Sequence, residues 1–144
     1  MKRVLSILLL VVTIGLVSCS SDNSTSLIVY YSQTGNTLKI AHEAMEILPN
    51  ADTLRLELVE PYPSDVYETI KKVGEQISSA SLPKLKKNSL SLENYDTIYL
   101  CFPVWYGKPA LPVISFLKQN DLRCKVIVPI CTFRSGDDPL REKP

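Results

Sequence analysis

Ser32, Gln33, Thr34, Gly35, Asn36 and Thr37 follow one another without a charged side chain. Hydroxyls and main-chain N–H groups that open a helix converge on an anion, and the helix dipole adds partial positive charge there. Gly35 lets the backbone come close. With neutral donors alone, the turn suits one monophosphate better than a triphosphate. It is not a Walker loop, because the GK[ST] element is absent. The bland alternative is an ordinary strand-to-helix turn with Thr34 or Asn36 as N-cap.

A second stretch, "PVWYGKP" (103–109), places Trp105 and Tyr106 beside Gly107. Two aromatics in a loop are suited to stacking on a planar ring, worth roughly 0.5–1.5 kcal/mol beyond the area they bury. Gly107 allows a main-chain N–H to approach such a ring. The alternative is that both side chains fold back onto the helix that follows. A third stretch, "CTFRSGDD" (131–138), offers Phe133 to flank a ring from the other side, with Thr132, Ser135 and Gly136 as polar contacts. Phe133 and Arg134 also suit a plain surface loop.

These loops need elements to position them, and the hydropathy pattern supplies alternating strands and helices. Residues 27–31 form a continuous apolar run, expected as a buried strand. Leu38, Ala41, Met45 and Leu48, widened by Ile40, Ala44 and Ile47, mark a helix that Pro49 and Asn50 stop. Residues 53–59 alternate Leu54, Leu56 and Leu58 with polar residues, as a half-polar strand near a sheet edge does. Ser64 is the expected N-cap of a second helix carrying Val66, Ile70, Val73 and Ile77. Residues 97–102 form a third strand. Pro109 and Pro112 fit the first turn of a short helix running to about Lys118. Residues 125–131 form a fourth strand, with Pro129 near its end. Such alternation implies a parallel sheet with right-handed crossovers and helical layers on its faces. Ligands of such sheets sit beyond the carboxyl ends of the strands, where all three loops would meet.

The N-terminus reads as a leader. Lys2 and Arg3 precede an apolar run, Val4 to Val17, of signal-peptide length, and a polar segment, "SSDNSTS", follows Cys19. Leu16-Val17-Ser18-Cys19 resembles the lipobox of bacterial lipoproteins, whose cysteine is acylated. Residues 1–18 are therefore expected as a lipoprotein signal, with Cys19 as the lipidated residue of a 19–26 tether and 27–144 as the folded domain. The alternative is an ordinary signal peptide with a chance cysteine. Acylation would hold the domain on a membrane of the bacterial cell envelope. Two of the 16 basic residues and none of the 15 acids lie in the leader, leaving 14 against 15. That balance argues against an electrostatic nucleic-acid binder. Lys84, Lys86 and Lys87 read as a solvated loop face. Cys101, Cys124 and Cys131 lack CxxC spacing, and the chain has one histidine, so no metal site is expected. Cys101 and Cys131 fall in apolar runs and are expected as inert buried thiols. His42 lies inside the first helix, where an exposed surface residue is expected rather than a catalyst.

"VYYSQTGNT", "YDTIYLCFPVWYGKPALPVISFL" and "VIVPICTFRSG" together resemble flavodoxin-like proteins, most nearly the branch with a P-[IV]-W-[WY]-G motif after the third strand. The resemblance covers about residues 27–136. It implies an α/β three-layer sandwich and a noncovalently bound FMN. Ser32, Gln33, Thr34, Gly35, Asn36 and Thr37 would hold the phosphate. Pro103, Val104, Trp105, Tyr106 and Gly107 would pack on and hydrogen-bond the isoalloxazine, with Thr132, Phe133, Arg134, Ser135 and Gly136 on its other side. The family's sheet order is 2-1-3-4-5; here "DDPLREKP" shows no fifth strand, so the order expected is 2-1-3-4. Either a longer protein supplies the fifth strand, or a partner or second copy pairs with the exposed fourth.

Three functions fit this reading. The first is FMN-based electron transfer at the cell envelope, with an unidentified redox partner protein or quinone-like acceptor. The second is an NAD(P)H:quinone-type oxidoreductase, although no nicotinamide site is evident. The third is a cofactor-free lipoprotein that uses the scaffold for protein binding. No catalytic acid, base or nucleophile is demanded, since Thr132 and Ser135 lack His–Asp support.

Overall fold

The computed structural model describes residues 25–133. Its elements are β1 (Ser26–Tyr30), α1 (Asn36–Ile47), β2 (Asp52–Arg55), α2 (Val66–Ser78), a 3₁₀ turn (Leu92–Asn94), β3 (Thr97–Trp105), β4 (Lys108–Pro109), α3 (Leu111–Gln119) and β5 (Val126–Thr132). β2, β1, β3 and β5 form a parallel sheet in that order, and β4 pairs antiparallel with the end of β3. The fourth strand expected from sequence is β5, so the expected topology is the observed one.

The apolar runs are buried on both faces, as a parallel sheet between helical layers requires. Leu27, Val29, Leu54, Ile98, Leu100 and Phe102 pack with Val73 of α2 and Val113 and Phe116 of α3. Ile28 and Cys101 turn the other way, onto Ala41 and Ala44 of α1. This alternation follows from the period of two along each strand.

Several expectations need correction. β2 is shorter than 53–59. The alternation of Leu54, Leu56 and Leu58 does bury all three, but parallel pairing ends at Arg55, apart from the bond from Leu56 N–H to the Tyr30 carbonyl. The chain then changes partner: Leu58 bridges Leu85 antiparallel, Val59 N–H bonds Lys84 O, and Lys86 N–H bonds Glu57 O. The N-cap of α2 is Asp65, which accepts the Glu68 N–H at 2.9 Å, and not Ser64. With that start, α2 buries Thr69 and Val73 and leaves Val66 and Ile70 exposed. Thr69 fixes this rotation by donating its hydroxyl to Pro63 O at 2.8 Å. Ile47 is exposed rather than part of the α1 stripe. Pro109 belongs to β4, and only Pro112 sits in the first turn of α3.

Cys101 is buried as expected, but Cys131 is exposed. Among the described residues β5 is paired only with β3, so an apolar run there is not covered as it is in β1. Lys86 meets Glu57 at 3.0 Å with both side chains about half exposed, and His42 is exposed. Among the described residues, no helix is long and apolar enough to cross a membrane and no cluster could hold a metal ion. Cys19, the proposed leader and tether up to Ser24, and Arg134, Ser135 and Gly136 lie outside the described residues.

Candidate functional site

β1, β3 and β5 run parallel in register, with Tyr30 opposite Cys101 and Cys101 opposite Ile130. Their carboxyl ends therefore reach the same rim, and the loops that follow them are neighbours. Two contacts tie the loops together. The Thr37 and Thr132 hydroxyls lie 2.8 Å apart, and the Tyr31 and Trp105 rings meet edge to face at 5.8 Å.

The first loop leads from β1 into α1. Ser32 turns its hydroxyl inward, where it accepts the N–H groups of Gly35 and Leu38, both at 3.1 Å. Thus Ser32, rather than Thr34 or Asn36, caps the turn. Gly35 is the N-cap residue of α1, with φ of +88°, a conformation that L side chains rarely adopt. The space beside its Cα is open, since an added Cβ would meet nothing within 4 Å. The N–H groups of Thr34, Asn36 and Thr37 find no acceptor among the described residues. Asn36 and Thr37 lie in the first turn of α1, whose N–H groups have no partner within the helix and need one from outside. Thr34 and Asn36 are exposed, whereas Thr37 is buried against β5.

Gln33 does something the sequence did not suggest. Its amide oxygen accepts from the Tyr31 hydroxyl at 2.6 Å, and its amide nitrogen donates to Pro63 O at 2.8 Å. The side chain braces the turn against the β2–α2 connection, leaving the main chain as its contribution to an anion site.

The second loop is a two-residue hairpin between β3 and β4. Tyr106 and Gly107 have φ of +50° and +68°, as a type I′ turn requires. Pro103 and Val104 are half-buried below it. Trp105 stands edge-on to Tyr31 and, at 5.7 Å, to Tyr62, whose hydroxyl donates to Gln76 Oε1 at 2.6 Å. Tyr106 turns onto α2, not α3, and donates to Ile70 O at 3.0 Å. So Trp105 is packed and Tyr106, though exposed, is tethered through its hydroxyl, each to partners other than those the sequence offered. Gly107, at the tip, is exposed and has open space around it.

Burial pushes the Tyr62 phenol up to about 12 and raises Tyr31 further, Tyr62 adding to and Arg55 opposing that rise. Both phenols are thus neutral donors at ordinary pH. In the third loop Thr132 is half-buried and Phe133 is largely exposed, at 71 %. Two shallow cavities elsewhere, one lined by Arg55, Lys86 and Lys87 and one by Ile47 and Pro49, include no residue of the three loops.

The residues missed in the sequence are Tyr31, Tyr62, Gln76 and Gly74. One signal was present: an isolated glycine inside a helical pattern costs about 1 kcal/mol against alanine, which marks Gly74 out. A Cβ on Gly74 would lie 3.0 Å from the Tyr106 hydroxyl oxygen.

The fold and rim define a doubly wound α/β domain with a Ser32-capped turn at the start of α1 and an aromatic hairpin side by side. The family model described as flavodoxin matches residues 25–142, and the chain belongs to that family. Among solved structures, a flavoprotein in complex with FMN from Lactobacillus acidophilus NCFM is similar with a TM-score of 0.72 and 25% identity. That match covers 82% of this chain and 80% of that one. A putative flavoprotein from Bacteroides uniformis ATCC 8492 gives a TM-score of 0.70 and 26% identity, over 81% and 77% of the two chains. The apo-form of the Lactobacillus flavoprotein is similar with a TM-score of 0.64 and 25% identity, over 81% and 79%. No curated protein sequence matches the chain.

Proposed function

We propose that this chain binds FMN noncovalently at the rim where residues 32–37 and 103–107 meet the end of β5, with 132–136 as the third loop, and carries electrons at the bacterial cell envelope. The observation that carries the reading is the junction of the first turn with the end of β5 and of β1 with the hairpin. A phosphate fits the turn: the N–H groups of Thr34, Asn36 and Thr37 have no acceptor among the described residues, the space beside the Gly35 Cα is open, and no carboxylate lies in the turn. The dipole of α1 contributes roughly 0.3–1 kcal/mol more toward an anion at this end.

The exposed main chain of Gly107 and the exposed ring of Phe133 are placed to meet an isoalloxazine, while Trp105 closes the floor between Tyr31 and Tyr62. Bound FMN supplies the redox chemistry, taking up and passing on electrons; these residues bind, orient and shield it. Cys19, once acylated, would keep the domain beside membrane-bound redox partners.

Titration of the purified chain with FMN tests the reading. Trp105 is the single tryptophan, so its emission should fall in step with quenching of flavin fluorescence, saturating at one flavin per chain. A chain that leaves FMN fluorescence unchanged at micromolar concentrations sinks the proposal. The envelope assignment is separable: Cys19→Ala should release the protein from the membrane fraction, and no release would remove the anchor.

A further inference from the structure

We propose that the Ile70 carbonyl and the bare Cα of Gly74, one turn apart on α2, form a seat for Tyr106 that fixes the β3–β4 hairpin. Tyr106 would then be a positioning residue, anchored away from the ligand, and not a stacking group. This inference rests on the FMN reading of the rim given above.

Tyr106 occupies the first central position of a two-residue turn with φ of +50°, a conformation that a bulky residue adopts only when its surroundings hold it there. Its ring is exposed, at 37 %, but tethered at its tip. The hydroxyl donates to Ile70 O at 3.0 Å, using the second lone pair of a carbonyl inside α2.

Directly beside that bond sits Gly74. Glycine in a helix interior lowers helix stability relative to alanine, and α2 runs unbroken from Val66 to Ser78, with no turn there that would call for one. The space explains it. An added Cβ would stand 3.0 Å from the Tyr106 hydroxyl oxygen and 3.6 Å from the ring carbon bearing it. The first distance is tighter than nine in ten real Cβ contacts, so the hydroxyl must move by a few tenths of an ångström from its place on Ile70 O, whereas the second is ordinary contact. Gly74 thus makes room for the hydroxyl specifically.

The seat gives the hairpin a second point of attachment. Trp105 holds one strand of the turn through Tyr31 and Tyr62, and Tyr106 holds its apex to α2. Between these two attachments and Lys108 the main chain of Gly107 has one position open to the rim. A ligand ring that hydrogen-bonds this main chain gains from a turn already held in its bound shape.

A double-mutant cycle on the full chain tests the seat, with Gly74→Ala, Tyr106→Phe and both together, read by FMN dissociation constant and by apoprotein Tm. Gly74→Ala alone should weaken FMN binding about tenfold, a shift of ~1.4 kcal/mol. It should leave Tm unchanged or lower, cancelling the usual gain from alanine in a helix. In the Tyr106→Phe background, where the clashing oxygen is gone, the same substitution should cost no further affinity and should raise Tm by a few degrees.

Asp65→Ala serves as control. It destabilises the start of α2 and should leave the dissociation constant of the folded protein unmoved. Gly74→Ala raising Tm equally in both backgrounds, with FMN affinity unaltered, would overturn the seat. If the unmodified chain takes up no FMN, the functional reading fails, and the Tm coupling alone decides whether Tyr106 is seated on α2.

Discussion

The hydroxyls of Thr37 and Thr132 lie 2.8 Å apart although 95 positions separate them in the chain. Thr37 is 2 % exposed, in the first turn of α1, and Thr132 ends β5. Two side chains that could each have faced a ligand instead face each other. Their bond closes the sheet's rim by joining the turn after β1 to the last described strand.

Replacing Thr37 by Val keeps the shape and removes the hydroxyl. A neutral hydrogen bond of this kind contributes about 1 kcal/mol net, so urea unfolding of the apoprotein should show a loss of that size. Thr37→Val and Thr132→Val together should cost clearly less than the sum of the two. Strict additivity would mean that the hydroxyl pair does not exist in solution.

Ser32→Ala should be the more damaging change in the turn. One oxygen accepts two N–H groups, from Gly35 and Leu38, and losing such a cap costs about 1–2 kcal/mol. FMN binding should weaken as well, because the backbone that Ser32 holds is the cradle itself. Ser32→Thr, which retains the oxygen, should recover most of both. An Ala variant with unchanged stability and affinity would show that the turn holds its shape without this cap.

Much of this arrangement was legible in the sequence, and the reasons for the rest are physical. Apolar runs and helical periodicity are local, so β1, α1, β3 and β5 and their parallel alternation could be read directly, whereas the strand order came only with the resemblance to flavodoxin-like proteins. Gln33 could not. Whether its amide faces an anion or the Tyr31 hydroxyl and Pro63 depends on where the β2–α2 connection passes, a non-local matter. Trp105 and Tyr106 were read in one loop after a strand over 97–102, but β3 runs on to Trp105. Only Tyr106 and Gly107 form the turn, because Val104 and Trp105 pair back with Pro109 and Lys108. The partners of the two aromatics, Tyr62 and Ile70, come from a segment read only as a turn and a helix stripe. The α2 cap differed by one residue because Ser64 and Asp65 are both good caps, and Thr69 bonding Pro63 O decides between them. Cys131 was read as buried because its neighbours are apolar, but burial depends on what covers a strand, not on its composition.

That difference between Cys101 and Cys131 is measurable. In native protein, Cys124 and Cys131, both exposed, should be alkylated rapidly by iodoacetamide, and Cys101 only after unfolding. Burial pushes the Cys101 thiol up to about 11 from an ordinary value of 9.0. Unfolded chains then ionise at lower pH than folded ones. The resulting stability is fully present below pH 9 and is lost as pH rises through about 11, on the order of 2–3 kcal/mol in all. Tyr62 adds a similar loss at higher pH, between 10.0 and about 12. Cys101→Ala should be less stable at about pH 8 but show a shallower fall in urea midpoint from there to about pH 10. Equal slopes for the two proteins would mean that the thiol titrates freely in the fold.

Trp105 offers the most direct view of the site, because it is the single tryptophan and touches both Tyr31 and Tyr62 edge-on. Each such aromatic pair contributes about 0.5–1.5 kcal/mol beyond area burial. Trp105→Phe keeps a ring in place but shortens its reach, so apoprotein stability should drop by about 1–2 kcal/mol in urea unfolding. Tyr62→Phe removes only the bond to Gln76, at 2.6 Å. It should cost about 1 kcal/mol and leave Trp105 emission unchanged. Tyr62→Leu strips the aromatic edge from the indole and should red-shift that emission as water reaches it. If Trp105 emission is already that of a fully solvated indole in the unmodified protein, the indole does not sit between these two tyrosines.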